Sequence, residues 1–342
     1  MRLQKYSKFL LLFFTLLIIG LSAQIPIFKI SNTAQVVNSE TITDTKEKNI
    51  PKYNYFNKDF NLNLKISATS YLVGDLKTGE IILSNQAKKV YPIASVSKLM
   101  TALVGREIKD SDTTAKVSER AIETYGKNGN FHTGEKIYTG DLLYPLLLES
   151  SNDAAEILAE HFDRDSFIRK MNQQAEILSM DQTNYEDPSG LSEHNVSSAL
   201  DLFKLAGYLY KEKPEILELT KKRSHKTNSH IWSSTNQFLR ETGYLGGKSG
   251  YTDKAKETVI SVFDLPLGEN ETRPIGIVLL QSQDRYEDVE KILRYLKKYV
   301  YYGGQEDANT DWVRARTELP DIREPDFVTL SFVGDIMIDR GV

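Results

Sequence analysis

The apolar pattern changes period twice between residues 62 and 303, and this restricts the fold more than any other feature of the chain. Residues 69–76 and 80–84 partly alternate around the turn signal Lys77-Thr78-Gly79, which predicts a β-hairpin. From 95 to 108 the apolar positions, Leu99, Leu103 and Ile108 among them, take helical spacing. Residues 141–148, 152–162 and 166–180 continue it, with Thr139 and Asp165 as expected N-caps, so 140–220 reads as mainly helical. Strand-like runs return at 244–252, 258–265 and 274–281, and an amphipathic helix spans 286–301. Strands at both ends with helices between predict an α+β domain whose terminal strands share one antiparallel sheet.

Three short motifs lie on this frame in a fixed order. Ser95-Val96-Ser97-Lys98 opens the first helix, Ser150-Ser151-Asn152 falls between two helices, and Lys248-Ser249-Gly250 sits on a strand. Positions i and i+3 of a helix share a face, so Ser95 and Lys98 can meet. A serine hydroxyl needs an adjacent base to become a nucleophile. Lys98 serves as that base only when neutral, a state favoured by burial near a second cation such as Lys248. A helix N-terminus at Ser95 also offers backbone N–H groups to a developing oxyanion. Taken singly, each motif has a plainer reading: Ser95 as an N-cap, Lys98 as a solvated helix residue, Asn152 as a cap between helices. The ordered triplet in these contexts outweighs the plainer readings and favours Ser95 as a nucleophile with Lys98 as its base. Gly247-Lys248-Ser249 is not the tail of a phosphate loop, because the required first glycine falls at Thr242.

The triplet resembles the SxxK, SxN and K[ST]G elements of penicillin-binding proteins and serine β-lactamases. The stretches YPIASVSKLMTALV, LLLESSNDAAEILAEH, DPSGLSEHNVSSALDL and GGKSGYTDKA extend the likeness over residues 65–300 to the D-alanyl-D-alanine carboxypeptidases of low molecular mass. The resemblance implies a β-lactamase/transpeptidase-like fold. It implies Ser95 as the acylated nucleophile, Lys98 as base, Ser150 and Asn152 as the proton-relay pair, and Lys248 with Ser249 as binder of the substrate's terminal carboxylate. Backbone N–H groups of Ser95 and Tyr251 are the expected oxyanion hole, with Gly250 and Thr252 completing the substrate-binding strand. The expected partners are peptidoglycan stem peptides ending in D-Ala-D-Ala and, as covalent inhibitors, β-lactams; no cofactor is expected. Ser249 stands where the family usually has Thr, which keeps the hydroxyl. The readings beside it are a DD-endopeptidase of the same family and a non-catalytic β-lactam or muropeptide sensor. A class A β-lactamase needs a deacylating Glu with a nearby Asn on a loop after SxN, and Glu156, Glu160 and Glu176 lie in helical runs instead.

Composition and the chain ends set the context. Zero cysteines exclude a thiol nucleophile, disulfides and Cys-ligated metals, and none of the five histidines (132, 161, 194, 225, 230) forms an HExxH pattern. His225 and His230 are expected to be solvated. With 43 Lys and Arg against 47 Asp and Glu, the net charge of -4 argues against nucleic-acid binding. Arg2, Lys5 and Lys8 precede an apolar run at 9–23, which predicts a signal peptide or membrane anchor over 1–28 and export of everything after it. Residues 29–61 read as a linker, 62–303 as the peptidase domain and 304–325 as a second linker. Residues 326–342 read as the first strand of a truncated domain, resembling the start of poly-γ-glutamate capsule synthesis proteins, in which Asp335 would be a metal ligand; no functional metal site is expected here.

Overall fold

A computed structural model describes residues 55–57, 64–108, 113–126, 129–268, 270–303 and 313–314. Along the chain run β1 (Tyr55–Asn57), β2 (Ser70–Asp75), β3 (Ile81–Asn85), β4 (Tyr91–Pro92), a 3-10 turn at Ala94–Ser97, α1 (Lys98–Glu107), β5 (Thr114–Lys116), α2 (Glu119–Ile122) and β6 (Lys136–Tyr138). Then follow α3 (Thr139–Tyr144), a π turn at Pro145–Glu149, α4 (Asn152–His161), α5 (Arg164–Ile177), β7 (Val196–Ser197), α6 (Ala199–Glu212) and α7 (Pro214–Thr220). The last part holds β8 (Ser224–Lys226), β9 (Ile231–Ser233), a 3-10 turn at Gln237–Arg240, β10 (Tyr244–Thr252), β11 (Lys256–Leu265), β12 (Arg273–Ser282), α8 (Arg285–Tyr299), β13 (Val300–Tyr302) and β14 (Val313–Arg314).

The expected antiparallel sheet is present, in the order β10-β11-β12-β2-β3. Its central strands are buried on both faces, and alternate residues feed two cores. Ile275, Ile277 and Leu279 pack with Val289, Ile292 and Leu296 of α8, which presents its apolar stripe to that face. Val278 and Leu280 face the other way, into the core that holds Leu202, Phe203 and Leu205 of α6. The helical part is built around α1, whose residues Lys98–Gly105 are all buried; a helix enclosed on every side sits at a core centre.

Several boundaries differ from the sequence expectations. The chain enters the fold before residue 62, because Tyr55–Asn57 pairs with Val300–Tyr302, the strand that ends what the periodicity predicted as helix up to 301. Val313–Arg314 pairs with the other edge of β1. The Tyr55 hydroxyl donates to Asp75 Oδ2 at 2.5 Å, Arg273 Nε donates to the same oxygen at 2.8 Å, and the guanidinium lies 3.8 Å over the Tyr302 ring. The cap of α5 is Asp163, whose carboxylate accepts from Ser166 N, so Asp165 falls within the first turn. Thr139 is the first residue of α3, and its hydroxyl turns instead to the backbone of Thr113. His230 is buried and His225 only partly exposed: both belong to an aromatic stack with Trp232, with His225 flat on Tyr144 and His230 against Glu135. The segments 1–28 and 326–342, with Asp335, lie outside the described residues.

Candidate active site

Ser95 sits on a forced turn. Ala94 takes φ +49°, a left-handed backbone that non-glycine residues rarely adopt. Four bonds pin the turn. Ile93 N donates to Asn195 O, Thr258 Oγ1 to Ile93 O, Ser97 Oγ to Ala94 O, and Asn195 Nδ2 to Ser97 Oγ. Two glycines let neighbouring backbone close on it: a Cβ on Gly190 would lie 2.0 Å from Ala94 O, and one on Gly250 would lie 2.6 Å from Ser95 N. The 3-10 turn rolls into α1 at Lys98, so the expected i, i+3 geometry survives the change of helix type.

Lys98 lies beneath the cleft floor, fully buried. Its Nζ reaches Ser95 Oγ at 3.0 Å, Asn152 Oδ1 at 2.7 Å and Ser189 O at 2.5 Å. Burial lowers its pKa to about 7, against the raising pull of Asp187 and Glu156. The repulsion between the two buried lysines is felt at Lys248, held well below its usual value by burial first and then by the charges of Lys98 and Arg285.

The Leu-rich π turn delivers the second motif. A π turn inside a buried helical run is a feature often found at functional sites. It ends at Ser150 with φ +60°, and Ser151, not Asn152, caps α4 by accepting from Ala154 N. Asn152 is thereby free for a double role: its Oδ1 accepts from Lys98, and its Nδ2 donates to Tyr125 O at 2.7 Å.

The third motif lies on β10, at the edge of the sheet. Lys248 is buried and donates to Ser249 O at 2.7 Å, while Tyr251 is exposed and bonds Asp253. A cleft of about 600 Å³ is lined by Ser95, Ser150, Asn152 and the run from Lys248 to Asp253, so every expected site residue except the buried Lys98 faces one space. Among the described residues no group of three or more acidic or histidine side chains could hold a metal. Glu156 is taken up by Arg164, at 2.7 and 3.1 Å.

Sequence reasoning missed four contributors. Arg285, at the start of α8, lines the cleft, donates to Gly250 O at 2.6 Å and keeps a buried Nε with no partner among the described residues. Tyr125 and Thr235 form other parts of the rim. Asp187 organises the loop under Lys98, its carboxylate accepting from Ser189 N, Ser189 Oγ, Gly190 N and Ser192 N. The stretch DPSGLSEHN carried the signal as a run of turn residues, without showing where it folds back.

A family profile described as D-alanyl-D-alanine carboxypeptidase, Peptidase_S11, matches residues 57–279. The D-alanyl-D-alanine endopeptidase of Escherichia coli (strain K12) is 31% identical over 234 residues, covering 65% of this chain and 74% of that protein. A D-alanyl-D-alanine carboxypeptidase of Bacillus subtilis (strain 168) is 29% identical over 204 residues, 55% of this chain and 52% of that protein. Among solved structures, penicillin-binding protein D2 from Listeria monocytogenes in its cefotaxime-bound form superposes with TM-score 0.58 at 32% identity, over 69% of this chain and 100% of that one. A D-alanyl-D-alanine carboxypeptidase from Mycobacterium tuberculosis H37Rv shares the fold, with TM-score 0.62 at 22% identity over 70% and 96% of the two chains.

Proposed function

The chain belongs to the Peptidase_S11 family of D-alanyl-D-alanine carboxypeptidases, and from that premise we propose that it removes the terminal D-alanine of peptidoglycan stem peptides through an acyl-enzyme at Ser95. The observation that carries the reading is the fully buried Lys98 amine, 3.0 Å from Ser95 Oγ and 2.7 Å from Asn152 Oδ1. Ser95 Oγ attacks the carbonyl carbon between the last two D-alanines while its proton passes to neutral Lys98. Ser95 N and Tyr251 N stabilise the oxyanion, a contribution of roughly 3 kcal/mol per donor. Lys248, Ser249 and Arg285 receive the terminal carboxylate, a counter-charge that favours the charged form of the buried Lys248. The tetrahedral species collapses with the C–N bond breaking; Ser150 hands its hydroxyl proton to the amine and takes up the proton held by Lys98, and D-alanine leaves. Water then attacks the ester, giving a proton to the neutral Lys98, and as the acyl C–O bond breaks that proton returns to Ser95.

Action on the cell wall puts the domain outside the cytoplasm. The basic residues 2, 5 and 8 with the apolar run 9–23 support export or anchoring by that segment, with residues from 55 to 303 as the peptidase domain. No helix among the described residues is long and apolar enough to cross a membrane, and 9–23 lies outside them. β-Lactams are the expected covalent inhibitors. Relatives named endopeptidases support a second reading, in which the scissile D-alanyl bond is a cross-link.

D-alanine release from diacetyl-Lys-D-Ala-D-Ala, measured beside Ser95→Ala, tests the main reading. Release that is lost in the variant is expected; a folded wild type that releases nothing overturns it.

A further inference from the structure

The cleft does not stop at Ser150. Thr235, whose N–H and Oγ1 both donate to Leu148 O at 3.1 and 3.3 Å, forms its wall beside Ser150. The same residue borders a second hollow of about 230 Å³, walled by Arg223, Ser234, Arg240 and their neighbours, with no acidic side chain in the wall. The β8–β9 hairpin and the 3-10 turn after it bring the two arginines there: Ser234 N donates to Arg223 O at 2.8 Å, and Arg240 ends the turn that Asn236 caps. Both guanidinium groups are exposed, and neither takes part in an ion pair among the described residues, whereas Arg164, Arg273, Arg285 and Arg294 all do. Both arginines wall this hollow without an ion pair, although Arg240 also borders a neighbouring hollow with Glu241, Asp284, Glu287 and Glu290, and an anion entering the first hollow meets guanidinium donors from two sides.

The geometry points to an anion subsite at Arg223 and Arg240 that receives a carboxylate of the leaving strand when the scissile bond is a cross-link between two stem peptides. This rests on the reading of Ser95 and Ser150 given above. Ser150 protonates the departing amine, and Thr235 lines both the cleft and the hollow, which gives a chain that continues beyond that amine a route past Thr235. A departing D-alanine ends at its own carboxylate, within reach of Lys248 and Ser249. A departing stem peptide is longer and carries further carboxylates, which guanidinium groups match in a forked, bidentate geometry. The chemistry is unchanged: the same C–N bond breaks, and the proton goes to the same nitrogen.

The test compares the full chain with Arg223→Ala/Arg240→Ala and Arg223→Lys/Arg240→Lys, on diacetyl-Lys-D-Ala-D-Ala and on a purified cross-linked muropeptide dimer. In the alanine pair, KM for the dimer is expected to rise about tenfold, the equivalent of ~1.4 kcal/mol, while small-peptide turnover stays within about twofold. The lysine pair is expected to fall between, and added salt to narrow the difference. An unchanged dimer KM, an equal loss on both substrates, or a wild type that cleaves the small peptide but not the dimer each overturns the subsite. A folded wild type inert on both substrates overturns the underlying peptidase reading, and the subsite with it.

Discussion

The amine of Lys98 lies 3.0 Å from the hydroxyl of Ser95 while no part of the lysine side chain reaches solvent. Proximity and desolvation come from the same placement, at the first residue of a helix enclosed by the core. With its pKa lowered by burial from the usual lysine value of 10.5 to about 7, Lys98 is neutral above that pH and charged below it. Only the neutral form can accept the Ser95 proton. β-Lactam acylation of Ser95 is therefore expected to fall about tenfold per pH unit below ~7. A stopped-flow profile that stays flat between pH 8 and 5.5 would remove Lys98 from the role of base. Lys98→Arg, charged at every accessible pH, is expected to leave less than about a hundredth of the rate.

Asp187 acts one step back, through Ser189. Its carboxylate gathers four donors of the loop whose Ser189 carbonyl accepts from Lys98. It also favours the charged lysine. Asp187→Asn is expected to lower the maximal acylation rate about tenfold and move its acidic limb to lower pH, since one raising charge is gone. A rate loss with the limb unmoved would leave Asp187 as a loop support only.

Gly190 is a tight point beneath the nucleophile. Gly190→Ala would force a Cβ to within 2.0 Å of Ala94 O, at a φ of +85°. The strained backbone alone costs about 1–3 kcal/mol, and the clash must push the Ser95 turn out of place. A lowered melting temperature together with lost acylation is expected; unchanged acylation would show that the turn tolerates displacement.

Arg273 and Asp75 form an ion pair at 2.6 Å, almost wholly out of solvent. Arg273→Met leaves a buried carboxylate whose remaining partners include Tyr55, and is expected to cost about 3–5 kcal/mol by urea denaturation. Tyr55→Phe removes one hydrogen bond to a charged group and is expected to cost about 1.5–3 kcal/mol. Equal costs would mean that the pair contributes no more than the hydroxyl.

The periodicities foretold the sheet and the helices around it because each element's burial is written in its own residues. Ser95, Lys98, Ser150, Asn152 and Lys248–Thr252 were singled out by three short motifs and their family resemblance; helix geometry explains only the Ser95–Lys98 pairing, and the structure gathers the rest around one cleft. Arg285 and Asp187 were not, since each acts on residues far away in sequence, Arg285 on Gly250 and Asp187 on Lys98 through a backbone carbonyl. The histidines misled because stacking on Trp232 depends on where a hairpin lands, and a polar local sequence does not reveal it. The start of the fold misled too, as its three residues pair with strands from the other end of the domain.

That terminal pairing also decides how the domain carries load. Tyr55 faces Tyr302 and Asn57 faces Val300, so the chain enters and leaves at the same end of a short antiparallel ladder. Tension applied between the two flanks would open this ladder like a zipper, one rung at a time. The Tyr55–Asp75 bond would go early, while the ladders of the five-stranded sheet and the Ser95 turn stay unloaded. A hydrolase working on a stretched polymer would thus give first at a seam where its catalytic geometry has no stake.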